Sequence, residues 1–312
     1  MRKFIVLGIA KNIENQITIL GDCLKVILDL REGSRAFIYE DGSTDKTVER
    51  LQLLSDSRIS VVSDTSVKPE TSALTWDNKP CRLERIAWAR NKCMEMWENN
   101  DKEDAIVIWL DTDRVHRLDG SIVHQVAEQL MGVPIEVAAG FFAMSLNHKN
   151  DMYDTFAYRS EKNALGPEFM GEKWWSAEHQ SQIQQEVREQ PYSVQVLSAC
   201  NGLAMYKSEA VRGLRFSATP TEAIEKYYRT LYRDPKHPCF KKMQEIQEKP
   251  TTHYEGVCLG RYCFGTEGLW YKNNSGYNQP VLCEWLSFHF AMRERGFKGL
   301  FIIKGWLDIS GH

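Results

Sequence analysis

Short apolar runs alternate with stretches of helical periodicity along the first half of the chain, and this alternation restricts the fold more than any other feature. FIVLGIA (4–10), RAFIYED (35–41), RISVVSD (58–64) and DAIVIWLDTD (104–113) read as buried strands. Between the first two, NQITILGDCLKVILDL sets Ile17, Leu20, Leu24, Ile27 and Leu28 at helical spacing. Ser43-Thr44-Asp45 has the chemistry to cap a helix running through KTVERLQLLS, and CRLERIAWARNKCMEMWENN (81–100) forms a long amphipathic helix. LDGSIVHQVAEQLMG (118–132) supplies a further helix and EVAAGFFAM (136–144) a further strand. Strands separated by helices predict an α/β architecture, a mostly parallel sheet flanked by helices on both faces.

The segment from about 146 to 192 breaks this pattern. It is polar, rich in aromatic residues and without clean periodicity, which predicts loops and a short helix laid over one edge of the sheet as an irregular insertion. VQVLSACNGLAMY (194–206) returns to strand character around a glycine, and 217–250 is a charged excursion holding Pro220, Pro235 and Pro238. CEWLSFHFAMRERG (283–296) is helical and FKGLFIIKG (297–305) a last strand. The expected organisation is one domain over 1–312, with halves at 1–145 and 146–312.

Composition narrows the function classes. A net charge of −3 over 312 residues gives no basic footprint, so nucleic acid is not an expected partner. No apolar run approaches the roughly 20 residues that span a bilayer, so no transmembrane segment is expected. The apolar stretch after Met1-Arg2-Lys3 is too short for a signal peptide core and leads straight into a strand. The eight cysteines are scattered without a CxxC pair, as in a soluble cytoplasmic protein with reduced thiols. His253, Cys258 and Cys263 have no usual zinc-finger spacing.

Unusual polar residues gather at the carboxyl ends of the strands, where open α/β sheets bind ligands. Strand one ends in Ala10-Lys11-Asn12, strand two in Glu40-Asp41-Gly42, and strand four in Asp111-Thr112-Asp113. No GxGxxG follows strand one, which argues against a dinucleotide-dependent hydride transfer. Where a strand ends and the chain bends, Asp111 and Asp113 can converge on a hard cation. Mg²⁺ or Mn²⁺ takes one or two carboxylates and fills its remaining positions with phosphate oxygens and water. The plainer reading is that these are strand-terminal aspartates that cap the next helix.

Five motifs in order, RIAWARN (85–91), VIWLDTD (107–113), MYDTFAYR (152–159), LSACNGLAMYK (197–207) and CEWLSFHFAMRERGF (283–297), together with YEDGSTDKT after strand two, carry a resemblance. The chain resembles nucleotide-sugar glycosyltransferases of the GT-A (Rossmann-like) fold. Within them it is most similar to the fungal capsule α-1,3-mannosyltransferase family and to related enzymes of large algal viruses.

The resemblance implies a metal-dependent transfer of a hexose or pentose from GDP-mannose or a UDP-sugar to a glycan hydroxyl. It implies that Ala10, Asn12, Asp41, Arg90, Asp111 and Asp113 bind the nucleotide sugar, with Asp41 reading the base and Arg90 facing the diphosphate or sugar. Asp113 is the implied direct ligand of Mn²⁺ or Mg²⁺, with Asp111 touching the ribose or reaching the metal through water and His312 completing the site; His289 competes for that last role. Asn201 and Gly202 are implied beside the acceptor. Trp174 and Trp175, with Tyr153 and Tyr158, are candidates to stack on sugar rings, against a plainer reading as core aromatics. Glu284 is the implied base of an inverting mechanism, whereas the fungal enzymes are of the retaining type, so stereochemistry stays open. Two other readings are a sugar nucleotidylyltransferase, for which GIAKNIEN lacks the glycine- and arginine-rich loop, and a non-catalytic nucleotide-sugar-binding module.

Overall fold

The computed structural model describes residues 2–54, 56–64, 82–114, 118–143, 152, 154–248, 261–265, 268–272 and 282–304. The first half alternates as its periodicity predicts. β1 (Lys3–Ala10), α1 (Ile17–Asp29), β2 (Arg35–Glu40), α2 (Thr47–Gln52) and β3 (Ile59–Ser63) come first. They are followed by α3 (Arg82–Asn100), β4 (Ala105–Leu110), α4 (Gly120–Gly132) and β5 (Gly140–Ala143). Asp45 accepts from the Thr47 N–H at the start of α2, and Asp119 accepts from the Ser121 N–H to cap α4. Both caps satisfy amide donors that a helix start leaves unpaired.

The second half holds α5 (Pro167–Met170), a 3₁₀ turn (Gly171–Trp175), α6 (Ala177–Glu189), β6 (Ser193–Gln195) and β7 (Leu203–Lys207). Then come α7 (Ser208–Val211), α8 (Glu222–Arg233), α9 (Phe240–Glu248), β8 (Arg261–Gly265), β9 (Gly268–Lys272), α10 (Glu284–Glu294) and β10 (Leu300–Ile303).

Eight strands form one sheet in the order β3-β2-β1-β4-β7-β5-β10-β6, and β8 and β9 form a separate antiparallel pair. β1 pairs in parallel with β2 and β4, β2 with β3, and β5 with β10; β7 runs antiparallel between β4 and β5, and β6 antiparallel to β10. The sheet is therefore mixed but mostly parallel, as expected. All six residues of β4 are buried because both its faces are covered. Ala105, Val107 and Trp109 enter a core shared with α3 and α10, while Ile106, Ile108 and Leu110 enter one shared with α1 and α4. Alternation along the strand feeds two cores at once.

Three expectations are corrected and a fourth stretch gains its helices. The strand read over 136–144 spans only Gly140–Ala143, since residues 135–137 form a turn held by Pro134. The stretch 194–206 is two strands: β6 lies at the sheet edge, and β7 lies in its middle. The irregular segment contains a full helix, α6, in which His179, Ile183 and Val187 form a narrow buried stripe. The charged excursion carries two helices, α8 and α9.

Candidate active site

The Asp111-Thr112-Asp113 stretch leaves β4 at the sheet's carboxyl edge. The Asp111 N–H donates to the Gly202 carbonyl at 2.8 Å, tying this turn to the loop before β7. Thr112 points inward: its hydroxyl donates to the Ile9 carbonyl at 2.6 Å, and only 2 % of the residue is exposed. Its methyl group sits where a Cβ on Gly8 would come within 2.8 Å, so β1 needs a glycine there. On either side of this inward-pointing residue, Asp111 is half-buried and Asp113 is exposed. Partial burial, then the neighbouring Asp111 carboxylate, raises the Asp113 pKa.

Arg90 lies beneath this turn on α3, 5 % exposed. Its Nη2 donates to Asp111 Oδ1 at 3.3 Å, and its Nε donates to Glu284 Oε1 at 3.2 Å. The guanidinium packs over the Trp285 ring at 4.4 Å and the Trp109 ring at 5.2 Å. Burial works to lower its pKa, but the Glu284 and Asp111 carboxylates outweigh it and the net shift is upward. Arg90 is a fixed cation joining two halves of the site, and Nη1 is buried without a hydrogen-bond partner. Glu284, the first residue of α10, is 4 % exposed.

At the ends of β1 and β2, Asn12 adopts a left-handed backbone with φ of 53°. Its N–H donates to Ser43 Oγ at 2.8 Å, and its Oδ1 accepts from the Thr44 N–H at 2.8 Å, stitching the two loops together. Ala10 contributes its carbonyl to the Asp41 N–H at 2.9 Å. Asp41 is 7 % exposed, and its Oδ2 accepts from Arg85 Nε at 2.6 Å and Lys11 Nζ at 3.2 Å. A carboxylate flanked by two cationic donors thus occupies this corner.

Across the site, Asn201 is fully buried; its Oδ1 accepts from the Asp154 N–H at 2.9 Å, and its Nδ2 has no partner. Gly202 follows in the left-handed region at φ 86°, which a residue with a Cβ rarely adopts. Asp154 Oδ1 accepts from the Phe156 and Ala157 N–H groups at 3.0 and 3.2 Å. Burial, then the Glu284 carboxylate, pushes the Asp154 carboxyl up to about 7.

The residues singled out from the sequence do not all lie here. Trp174 is fully buried, packed against Arg159 and His179, whereas Trp175 is half-buried and stacks on Phe156 at 6.1 Å. Tyr158 is also buried. His289 lies in the core, with Nδ1 bonded to Ser198 Oγ at 2.9 Å and Nε2 to Tyr206 OH at 2.8 Å. Both ring nitrogens are taken, which leaves neither for a metal. Burial, then Arg293, lowers its pKa to about 3. His312, Tyr153, His253 and Cys258 lie outside the described residues.

Sequence reasoning passed over Arg85, Lys11 and Asp154. Arg85 opens RIAWARN and Asp154 sits within MYDTFAYR, so the motifs held the signal, but the partners lie 44 and 47 positions away.

The Asp111–Asp113 turn suits a hard divalent cation, because two oxygen-donor carboxylates repel one another at an accessible strand end. Among the described residues, no group of three or more His, Cys, Asp and Glu side chains forms a closed metal cage.

Comparison with solved structures finds the mannosyltransferase PcManGT from Pyrobaculum calidifontis in complex with GDP-Man and Mn²⁺, at 14 % identity and TM-score 0.40, covering 69 % of this chain and 48 % of that one. It also finds S. aureus TarS 1–349, at 12 % identity and TM-score 0.38 over 69 % and 50 % of the two chains. A third is glucosyl-3-phosphoglycerate synthase from Mycobacterium tuberculosis with UDP, at 17 % identity and TM-score 0.34 over 69 % and 60 %. The chain spans about half the length of the first two. A search of curated proteins found no match. A family model described as Cryptococcal mannosyltransferase 1 matches residues 4–230, most of the chain. The chain belongs to this glycosyltransferase family.

Proposed function

We propose that the protein transfers a hexose or pentose from a nucleoside diphosphate sugar to a hydroxyl of a glycan, with Mn²⁺ or Mg²⁺ as cofactor. The observation that carries this reading is the Asp111–Arg90–Glu284 chain, which joins the strand-end carboxylates to the first turn of α10 through one buried cation. Asp113 and Asp111 would hold the metal, with His312 a further candidate ligand. When bound, the ion supplies positive charge opposite the leaving diphosphate.

This chain's residues do the rest. Ala10 and Asn12 shape the floor of the nucleotide site, and Asp41 accepts from the base. Arg90 orients Asp111 and faces the diphosphate or the donor sugar. Asn201, Gly202 and the rim residue Trp175 meet the acceptor; Trp174, buried as it is, supports that wall from behind. Glu284 takes the acceptor proton if the configuration inverts. If it is retained, the leaving phosphate takes it.

Two donors are in play. Membership of a mannosyltransferase family favours GDP-mannose. The edge at Asp41 favours uracil instead: among the described residues Oδ2 takes both the Lys11 and Arg85 bonds and Oδ1 takes none, which suits the single N–H of uracil better than the two adjacent N–H donors of guanine. A thermal-shift panel of nucleotide sugars with and without Mn²⁺ decides between them. A ligand of the native state raises its melting temperature. The expected result is stabilisation by one donor, with metal, of the wild type and not of Asp113→Ala. Stabilisation by no nucleotide sugar overturns the reading.

A further inference from the structure

Asp154 takes no part in the transfer as assigned to the residues so far, yet one of its carboxylate oxygens accepts from no described donor. Its Oδ1 is spent on the Phe156 and Ala157 N–H groups, and its own N–H on Asn201 Oδ1. Among the described residues, Oδ2 accepts from no donor, and the residue is only partly buried. The Asn201 amide that clamps Asp154 is fully buried and leaves its Nδ2 donor unsatisfied. A buried donor without an acceptor costs about 1–3 kcal/mol, so a native protein seldom keeps one without a use.

One acceptor and one donor, each without a partner among the described residues, therefore sit on two side chains joined by the bond from the Asp154 N–H to Asn201 Oδ1, with the Glu284 and Asp111 carboxylates near enough to act on the Asp154 charge. A carboxylate or phosphate ligand could satisfy Nδ2 but would be repelled by Asp154 and Glu284. An ammonium ion would suit the carboxylates but not the amide. A hydroxyl accepts and donates at once, so it satisfies both. We infer that Asp154 Oδ2 and Asn201 Nδ2 form a hydroxyl-binding pair that positions the sugar acceptor, with Asp154 a substrate-contacting residue in its own right. This rests on the reading of the site as a glycosyltransferase centre and adds a residue to it.

Asp154→Asn tests the pair without removing the turn: its carbonyl oxygen still accepts from Phe156 and Ala157, while the second oxygen becomes a donor. Two donors then face one hydroxyl. The measurement is saturation-transfer NMR with the methyl glycosides of mannose, glucose, galactose and xylose, beside the nucleotide-sugar thermal shift. The wild type should give saturation transfer to at least one glycoside. In Asp154→Asn that binding should weaken at least tenfold, while the shift by the nucleotide sugar is kept and the melting temperature without ligand is unchanged. Equal glycoside binding by both proteins overturns the role of Asp154, and binding of no glycoside by the wild type overturns the subsite. Loss of the nucleotide-sugar shift in the variant alone puts Asp154 on the donor side and overturns the inference. A wild type that binds glycosides but no nucleotide sugar keeps the subsite and sinks the glycosyltransferase reading instead.

Discussion

The chain up to Ala143 and the chain from Met152 onward contribute strands to one sheet, yet they are held in different ways. The first part is regular, and its loops are tied to one another at the strand ends, as Asn12 is to Ser43 and Thr44. The second part rests on polar locks sunk in the core. Arg159 and Glu168 pair with no exposure of either side chain, Tyr228 donates to Glu168 at 3.1 Å, and Trp174 lies 4.8 Å from the guanidinium. His289 is clamped between two hydroxyls. The geometry of the first part thus follows from sheet regularity, while the second part depends on a few buried polar groups.

Glu168→Gln should do the most damage. It leaves the Arg159 cation buried without its counter-charge, a loss of about 3–5 kcal/mol measured by urea denaturation. A cost under about 1 kcal/mol, the size of an exposed pair, would erase the contrast between the two parts.

His289 comes next, through pH. Its folded pKa, about 3, lies below the unfolded value of 6.5, so the folded state disfavours its protonation. The stability contributed by the neutral ring is present above the unfolded pKa and drains away as pH falls from 6.5 toward 3. Between about pH 7 and pH 4 the wild type should lose about 3 kcal/mol from this group. Parallel denaturation series on wild type and His289→Gln isolate that slope; identical slopes would remove His289 as the source of the acid sensitivity.

On the regular side the effects shrink. Thr112→Val deletes the hydrogen bond to the Ile9 carbonyl and should cost about 0.5–1.5 kcal/mol, the usual net contribution of one hydrogen bond. The same change should loosen the Asp111–Asp113 turn, read as a smaller Mn²⁺-dependent thermal shift. Lys11→Met should be mildest. Lys11 Nζ is part-exposed and Arg85 still holds Asp41, so stability should change by less than about 1 kcal/mol. If the donor edge reads uracil, this variant should nonetheless weaken UDP more than GDP in competition binding.

The same division decided what could be read without coordinates. α1 declares itself because Ile17, Leu20, Leu24, Ile27 and Leu28 repeat at helical spacing, and α3 and β4 do so by length and continuous apolarity. α6 reads from the sequence as no more than a short helix because its buried stripe is only His179, Ile183 and Val187, with long polar side chains between. β6 and β7 looked like one strand because 194–206 is almost uniformly apolar. Only pairing sends β6 to β10 and β7 between β4 and β5.

The sequence by itself determined the α/β alternation, the two carboxylates at the end of β4 and the family to which the motifs belong, since each is written in residues close together along the chain. Tertiary structure alone decided that Arg90 bridges Asp111 and, 194 positions away, Glu284, that His289 is a core residue with both nitrogens taken, and that Asp154 meets Asn201. Those contacts depend on which strands lie side by side. That order is set by the packing of two cores against one sheet, and no local spacing records it.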